Sequence, residues 1–563
     1  MRAGKIAITS LSQMPATTTR ATISPEPVVR LENYFQEPYN LAIATARTCY
    51  SSTVISPEDV GRDDKSREQR DRIAESIYKA GHHTTIQHPT FQFVLEKVSR
   101  QFIWSFLHAH PFYNSEQVSQ RYVEVKPEHF TIPPLSEEAR VVYLDAVHDQ
   151  MDVYHRLIGL VEPVVVSEYR RLFPSRSLEE KRWAGAIKKR CQEVARYALP
   201  VATHAHLYHT ISGLTLHRYW RLCQQFDAPL EQRLVVQRMV EEVSKIDPDF
   251  MSLAADPMPI EETPEHRAFQ QFHGAGRNGL PAASESPAGG RGLPAARAAQ
   301  AGATKRFLEE FDAELEGQTS RLVDYKVLAE ESLAQAVRSV LGLTKDQLGT
   351  TEAIAMVLDP ARNPYLADAL TLTTMSKLSR SLVHPHFTFK KKLSHTADSQ
   401  DQRHRMVPAS RPILACHFIS GRPDYIVPPL IAESREAEAA YREAMTRTWL
   451  AIERLLELQV PEEYALYLLP NAFPIRFEES GDLLHFHHKW VQRLCYTAQE
   501  EIWNACRDEV LQVQARFPEI GKYLQAPCWV RSQGGAKPFC PEGDRFCGVP
   551  VWRLPVERYQ RLI

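Results

Sequence analysis

His384–Arg405 reads HPHFTFKKKLSHTADSQDQRHR, and a looser version of it, His88–Tyr122, stands earlier in the chain. Both begin His-Pro-x-Phe-x-Phe, the period-two alternation of a half-buried strand. Both then lead into polar and cationic residues. The later stretch ends in Arg403-His404-Arg405, whereas the earlier one reaches Ser119-Gln120-Arg121-Tyr122. The pair implies one fold written twice, with different halves of a site kept in each copy.

Working outward, the same order of landmarks returns on both sides. Ala334–Ser339 echoes Ala42–Thr48, and Tyr425–Leu430 (YIVPPL) echoes Phe130–Leu135 (FTIPPL). Leu469-Pro470 repeats Leu199-Pro200. From there the copies run without a gap, His217 over His487, Trp220 over Trp490 and Pro248 over Pro518. In the first copy, Leu41–Tyr50 and Arg67–Ala80 read as helices, the second closed by Gly81. Thr90–Leu95 reads as a strand. Glu137–Phe173 and Leu178–Tyr197 read as long helices, and further helical segments are expected from His206 to about Lys245. Arg321–Leu341 is expected to repeat the first helical region. His273–Thr304 is Gly, Ala, Pro, Ser and Arg with few large apolar residues, which predicts a flexible linker. The resulting division is a loose tail at 1–27, a first unit at 28–270, a linker at 271–305, a second unit at 306–524 and a cysteine-containing extension at 525–563. The fold class is α+β, two tandem copies of one mixed fold packed as a pseudo-dimer.

Composition narrows the function classes. The chain has 563 residues, more than one hydrophobic core usually supports. A net charge of -2 supplies no global field for nucleic acid or acidic membranes, so an anionic ligand needs a local cationic cluster. No run of about eighteen apolar residues exists to span a membrane, and the N-terminus lacks the apolar core of a signal peptide. Nine scattered cysteines argue against a disulfide framework and for a reducing cytoplasm.

At Arg403-His404-Arg405 the sequence resembles the flavin-dependent thymidylate synthases, whose signature is Arg-His-Arg followed at a set spacing by Ser-x-Arg-Tyr. The family has a mixed α/β fold, assembles as homotetramers, and binds FAD, dUMP and a folate between subunits. The resemblance covers both units but is split between them. The second unit carries Gln400, Arg403, His404 and Arg405, with Arg493 where the family has the arginine that polarises the uracil ring. It lacks Ser-x-Arg-Tyr, since MVPASRP follows Arg405, and has Leu466 where an arginine is expected. The first unit is the complement: Ser119, Arg121, Tyr122 and Arg196 are present, LHAHP replaces Arg-His-Arg, and Cys223 replaces the ring-polarising arginine. The resemblance implies one composite dUMP site per chain, with Gln400, Arg403 and Arg493 facing Ser119, Arg121 and Arg196. It further implies FAD contacts from His82, Thr84, Gln117, Arg403, His404, Arg405 and His488. The family's Asn-Ala-Arg flavin run is Ser212-Gly213-Leu214 in one copy and Asp482-Leu483-Leu484 in the other. NADPH and methylenetetrahydrofolate are the implied co-substrates, dUMP or a related pyrimidine nucleotide the implied substrate, and a homodimer of duplicated chains the implied assembly.

These residue types suit that chemistry. A nucleoside monophosphate carries close to two negative charges, and guanidinium forks bind its oxygens in a bidentate way. A cation such as Arg493 beside the uracil would stabilise charge on the ring as C5 becomes nucleophilic. Ser119 has no paired histidine base at a telling spacing, so it reads as a phosphate donor rather than a nucleophile. His485, His487 and His488 on one helix do not converge as metal ligands. Cys528, Cys540 and Cys547 lack a Cys-x-x-Cys pair and would need a fourth ligand from elsewhere, so no metal is assigned.

Overall fold

The computed structural model describes residues 22–110, 112–225, 227–273, 294–561 and 563. Eight strands form two four-stranded antiparallel sheets: β1 (Val28–Tyr34), β2 (Thr90–Ser99), β3 (Tyr113–Gln117) and β4 (His204–Ser212) in the first unit, β5 (Ser320–Tyr325), β6 (His386–Ser394), β7 (Ala409–Ser410) and β8 (Pro474–Asp482) in the second. Their orders are the same, β1-β2-β4-β3 and β5-β6-β8-β7. The central registers also agree: Phe93 pairs with His209 as Phe389 pairs with Glu479.

The alternation read at His384 is the reason. On β2, Phe91, Phe93 and Leu95 face the core, and on β6 Phe387, Phe389, Lys391 and Leu393 do the same. β2 and β6 each end on a serine that caps the next helix. Ser99 Oγ accepts from Phe102 N at 2.9 Å, and Ser394 Oγ from Ala397 N at 3.1 Å. The helix Glu137–Leu172 packs against its counterpart Arg435–Glu457 and forms part of the boundary between units.

The Leu-Pro motifs form the centre of that boundary. Val201 N donates to Leu469 O at 2.8 Å and Asn471 N to Leu199 O at 2.8 Å. Ala202 N and Ala472 N donate to Tyr467 O and Tyr197 O, each at 3.0 Å. Tyrosine hydroxyls cross the seam in both directions, Tyr467 to Glu231 at 2.7 Å and Tyr197 to Glu501 at 2.6 Å. Each of those carboxyls also accepts the backbone and side-chain donors of a capping serine, Ser99 or Ser394.

Several expectations need correcting. His204–Ser212 is a strand rather than the start of a helical region, because alternate residues Ala205, Leu207, His209 and Ile211 are buried between β2 and β3. Ser320–Tyr325 is likewise an edge strand, and the helix starts only at Ala329. Of the expected linker 271–305, residues 274–293 lie outside the described residues. Those before it end the helix Pro264–His273, and those after it begin the helix Pro294–Glu314, whose AARAAQA run is a strong helix former. Of the expected tail, 1–21 lies outside the described residues, but Ile23 is buried and Ser24 forms a bridge with Ile132. The extension is also packed, with Val530, Val551, Val556 and Tyr559 buried. Among the described residues, no helix is long and apolar enough to cross a membrane.

Candidate active site

Arg403, His404 and Arg405 follow the short helix His395–Asp401 that Ser394 caps. Arg493 ends the helix Leu483–Arg493, which Asp482 caps by accepting from His485 N. The two elements meet: Arg493 Nε donates to His404 Nε2 at 2.8 Å and its Nη2 donates to Gln400 O at 3.3 Å. His404 Nε2 is therefore an acceptor, and the ring is neutral with its proton on Nδ1. Burial lowers its pKa well below the ordinary value, and the Arg493 guanidinium lowers it further. His488 stands beside it, the ring centroids 6.1 Å apart.

The first unit brings its arginines to the same place. Ser119–Tyr122 forms a turn, with Ser119 Oγ accepting from Arg121 N at 3.3 Å. Arg121 crosses the seam to donate from Nη2 to Thr497 O at 2.8 Å, and Nε lies 3.1 Å from Glu193 Oε1. Arg196 is 4% exposed, held by Glu193 O through Nε, and its Nη2 is enclosed without a hydrogen-bond partner among the described residues. The cations feel one another. Burial lowers the pKa of Arg493, and Arg121 and Arg403 both add to that lowering. Arg121, Arg403 and Arg493 are thus electrostatically coupled across the units, Arg196 is coupled to Arg121, and Gln400 meets Arg493 through its backbone carbonyl while its amide turns to Thr396 O.

Two residues absent from the sequence reading belong here. Arg100, at the start of the helix Arg100–His108, donates to Gln117 Oε1 at 3.1 Å and Val118 O at 2.7 Å. Burial, with Arg196 and Arg403 nearby, brings it down to about 9. Glu193 is the counter-ion. Burial works to raise its carboxyl, yet Arg190, Arg121, Arg196 and Arg561 hold it at about 2. The i, i+3 spacing of Arg190 and Glu193 was a readable helical pair, but nothing in the sequence tied it to Arg121.

Two clefts open from this cluster. One, of about 370 Å³, lies between Tyr113, Asn114 and Gln117 of β3 and Arg403 and Arg405 of the second unit. Arg405 sits 4.8 Å from the Tyr113 ring centroid and donates to Asn114 Oδ1 at 3.2 Å. The other, of about 670 Å³, runs from Arg121, Arg190 and Glu193 past Thr497 to Phe546 and Ile563 of the extension. His82 and Thr84 are not gathered with these groups. They are exposed at the 3-10 turn His83–Gln87, which packs on helices Pro38–Thr48 and Gly213–Arg221 of their own unit.

A second composite site, with the roles of the units exchanged, would need cations at Cys223 and Leu466. Both positions are core, 1% and 3% exposed. The cysteines Cys528, Cys540 and Cys547 are free thiols. Among the described residues no group of three or more His, Cys, Asp or Glu side chains is arranged to hold a metal.

Beneath the site the second unit holds a fully buried ionic network. Lys489 Nζ lies 2.8 Å from Asp401 Oδ1 and 2.6 Å from Glu479 Oε2. Lys391 Nζ reaches Asp401, Glu479 and Glu509 at 3.0, 3.1 and 2.9 Å. Burial and the Asp401 carboxylate raise Glu479 to about 7. Opposite Lys391, Glu479, Lys489 and Glu509 the first unit has Leu95, His209, Tyr219 and Met239, of which His209 Nε2 and Tyr219 Oη meet in a neutral contact at 3.2 Å.

Comparison with known proteins identifies the family. A flavin-dependent thymidylate synthase of Clostridium tetani is 26% identical over 224 residues, 39% of this chain and 84% of that one. Its counterpart in Nitratidesulfovibrio vulgaris is 25% identical over 236 residues, 41% and 87% of the two chains. A solved UMP/dUMP methylase of Streptomyces cacaoi, bound with 5-Br dUMP, aligns over 40% of this chain and 94% of its own, with 19% identity and a TM-score of 0.29. The family model of the thymidylate synthase complementing proteins matches residues 30–249 and again 321–519, and the chain belongs to that family.

Proposed function

We propose that this chain is a flavin-dependent thymidylate synthase-like enzyme with one composite site, formed between two tandem copies of the family fold packed as a pseudo-dimer. The reaction is the reductive methylation of dUMP to dTMP, or of a closely related pyrimidine nucleotide, with methylenetetrahydrofolate and NADPH as co-substrates. The observation that carries this reading is the meeting of Arg121 and Arg196 from one unit with Arg403 and Arg493 from the other.

In this reading Arg121, Arg196 and Arg403 take the phosphate, with the Ser119 hydroxyl as a further donor. Arg493, fixed by neutral His404, faces the uracil and stabilises charge on its oxygens while C5 attacks. The cleft beside Arg403 and Arg405 suits the diphosphate of FAD: it has two guanidiniums, the Tyr113 ring and the Gln117 amide. When bound, the flavin supplies the hydride that completes the methyl group. Arg405 and Gln117 would hold the anion.

Calorimetric titration with dUMP tests the site, and release of tritium from C5-labelled dUMP in the presence of FAD, the folate and NADPH tests the reaction. Arg196→Ala and Arg493→Ala should each weaken dUMP by tenfold or more, consistent with the loss of a charge-assisted hydrogen bond worth roughly 1.5–3 kcal/mol. Unchanged affinity in both variants would sink the composite site. A protein that binds dUMP but takes up no flavin and releases no tritium would be a nucleotide-binding relative without catalysis.

A further inference from the structure

The family match ends at residue 519, yet the chain's last residues return to the arginine cluster. Tyr559 anchors them: it is 1% exposed, and its hydroxyl accepts from Ala526 N at 3.4 Å. Gln560 N donates to Tyr496 Oη at 2.9 Å. Arg561 Nη1 then donates to Ala498 O at 2.8 Å. The adjoining carbonyl, Thr497 O, holds Arg121 at the same distance. Two neighbouring carbonyls of one turn therefore set a guanidinium from the extension beside a guanidinium from the first unit.

These contacts do not satisfy Arg561. Its Nε and Nη2 are shut from solvent and have no hydrogen-bond partner among the described residues, and the same holds for Nη2 of Arg196. An enclosed, unmade donor on a charged group is costly unless a ligand completes it. Charge points the same way. Arg121, Arg190, Arg196 and Arg561 surround Glu193, and the other nearby acids, Glu500 and Glu501, are both raised by burial, Glu500 to about 7. Positive charge is in excess at neutral pH, and an oxyanion with close to two charges would offset it. Burial and Arg190 bring Arg561 down to about 10, so it stays cationic through the neutral range.

We propose that Arg561, supplied by the C-terminal extension, is a further anion-binding residue of the composite site and binds the nucleotide phosphate together with Arg121 and Arg196. This rests on the reading of the site as a pyrimidine nucleoside monophosphate site. It adds a third part of the chain to that site, after the two units. The extension thereby becomes part of substrate recognition.

The test uses the full chain and two titrants, dUMP and deoxyuridine, which differ by the phosphate. Arg561→Ala is expected to weaken dUMP by about tenfold or more and to leave deoxyuridine within twofold, with Arg561→Lys in between. If Arg121→Ala weakens dUMP and Arg561→Ala does not, the extension has no part in the site, while the composite site stands. Equal weakening of both titrants by Arg561→Ala would mark the residue as structural only and overturn the proposal. If the wild-type chain binds neither titrant, the nucleotide reading fails and this proposal with it.

Discussion

Replacing Lys489 by methionine removes one cation from a network that has no access to water. Lys489, Lys391, Asp401, Glu479 and Glu509 all have fully buried side chains. After the change, Asp401 and Glu479 keep Lys391 as their direct ion-pair partner, at 3.0 and 3.1 Å, with the Arg411 guanidinium acting on both from further off. Breaking a buried pair from one side costs about 3–5 kcal/mol, because the remaining charge stays desolvated. Glu479 can reduce that cost by taking up a proton, since it already stands at about 7. The folded pKa of Glu479 lies above its unfolded value, so its burial opposes folding as pH rises, until the folded pKa is passed. In wild type that loss ends near pH 7. In Lys489→Met the folded pKa moves higher, so the loss continues above pH 7 at up to about 1.4 kcal/mol per unit. Hydrogen–deuterium exchange at the amides of β6 and β8 measures this locally as opening free energy. The expected result is a drop of about 3 kcal/mol at pH 7 that widens by pH 8. Tyr219→Phe, at the matching place in the first unit, should cost only about 1 kcal/mol for its neutral hydrogen bond, with no pH dependence. Opening energies in β6 and β8 that match wild type at both pH values would refute the reasoning.

Other expectations follow from single groups. His404 accepts from Arg493 and should stay neutral from pH 5 to 8, which its ring proton shifts would show by not moving; an ordinary midpoint near 6.5 would contradict the geometry. Glu463 is buried and raised to about 8, so ionising it opposes folding increasingly between its unfolded pKa and pH 8. Thermal melts of wild type should therefore fall from pH 5 to 8, and Glu463→Gln should lose less over the same span.

Much of this architecture was open to reading because it rests on local chemistry. The Phe-x-Phe alternation of β2 and β6 states which face is buried. The division of the signature between Arg403–Arg405 and Ser119–Tyr122 suggested the composite site proposed above, and Arg121 of the first unit is electrostatically coupled both to Arg196 and to Arg493 of the second. What stayed hidden depends on distant partners. His204–Ser212 carries three histidines on an otherwise plain alternation, and only pairing between β2 and β3 makes it a strand. Lys391 occupies a core position on β6 because acids from 401, 479 and 509 neutralise it, and no local pattern announces them. Arg561 stands in no motif at all. His82 and Thr84 fit the family pattern but remain exposed in their own unit.

The paired Leu-Pro strands have a consequence for assembly. In an enzyme whose site is shared by separate subunits, dilution empties the site, and two variants broken in different halves can restore each other by exchanging partners. Here Leu199-Pro200 and Leu469-Pro470 belong to one polypeptide, so the second half meets the first at a fixed effective concentration. Under the composite site proposed above, each chain would carry both faces at any dilution. A lesion in one half of that proposed site would then not be restored by exchange with another chain.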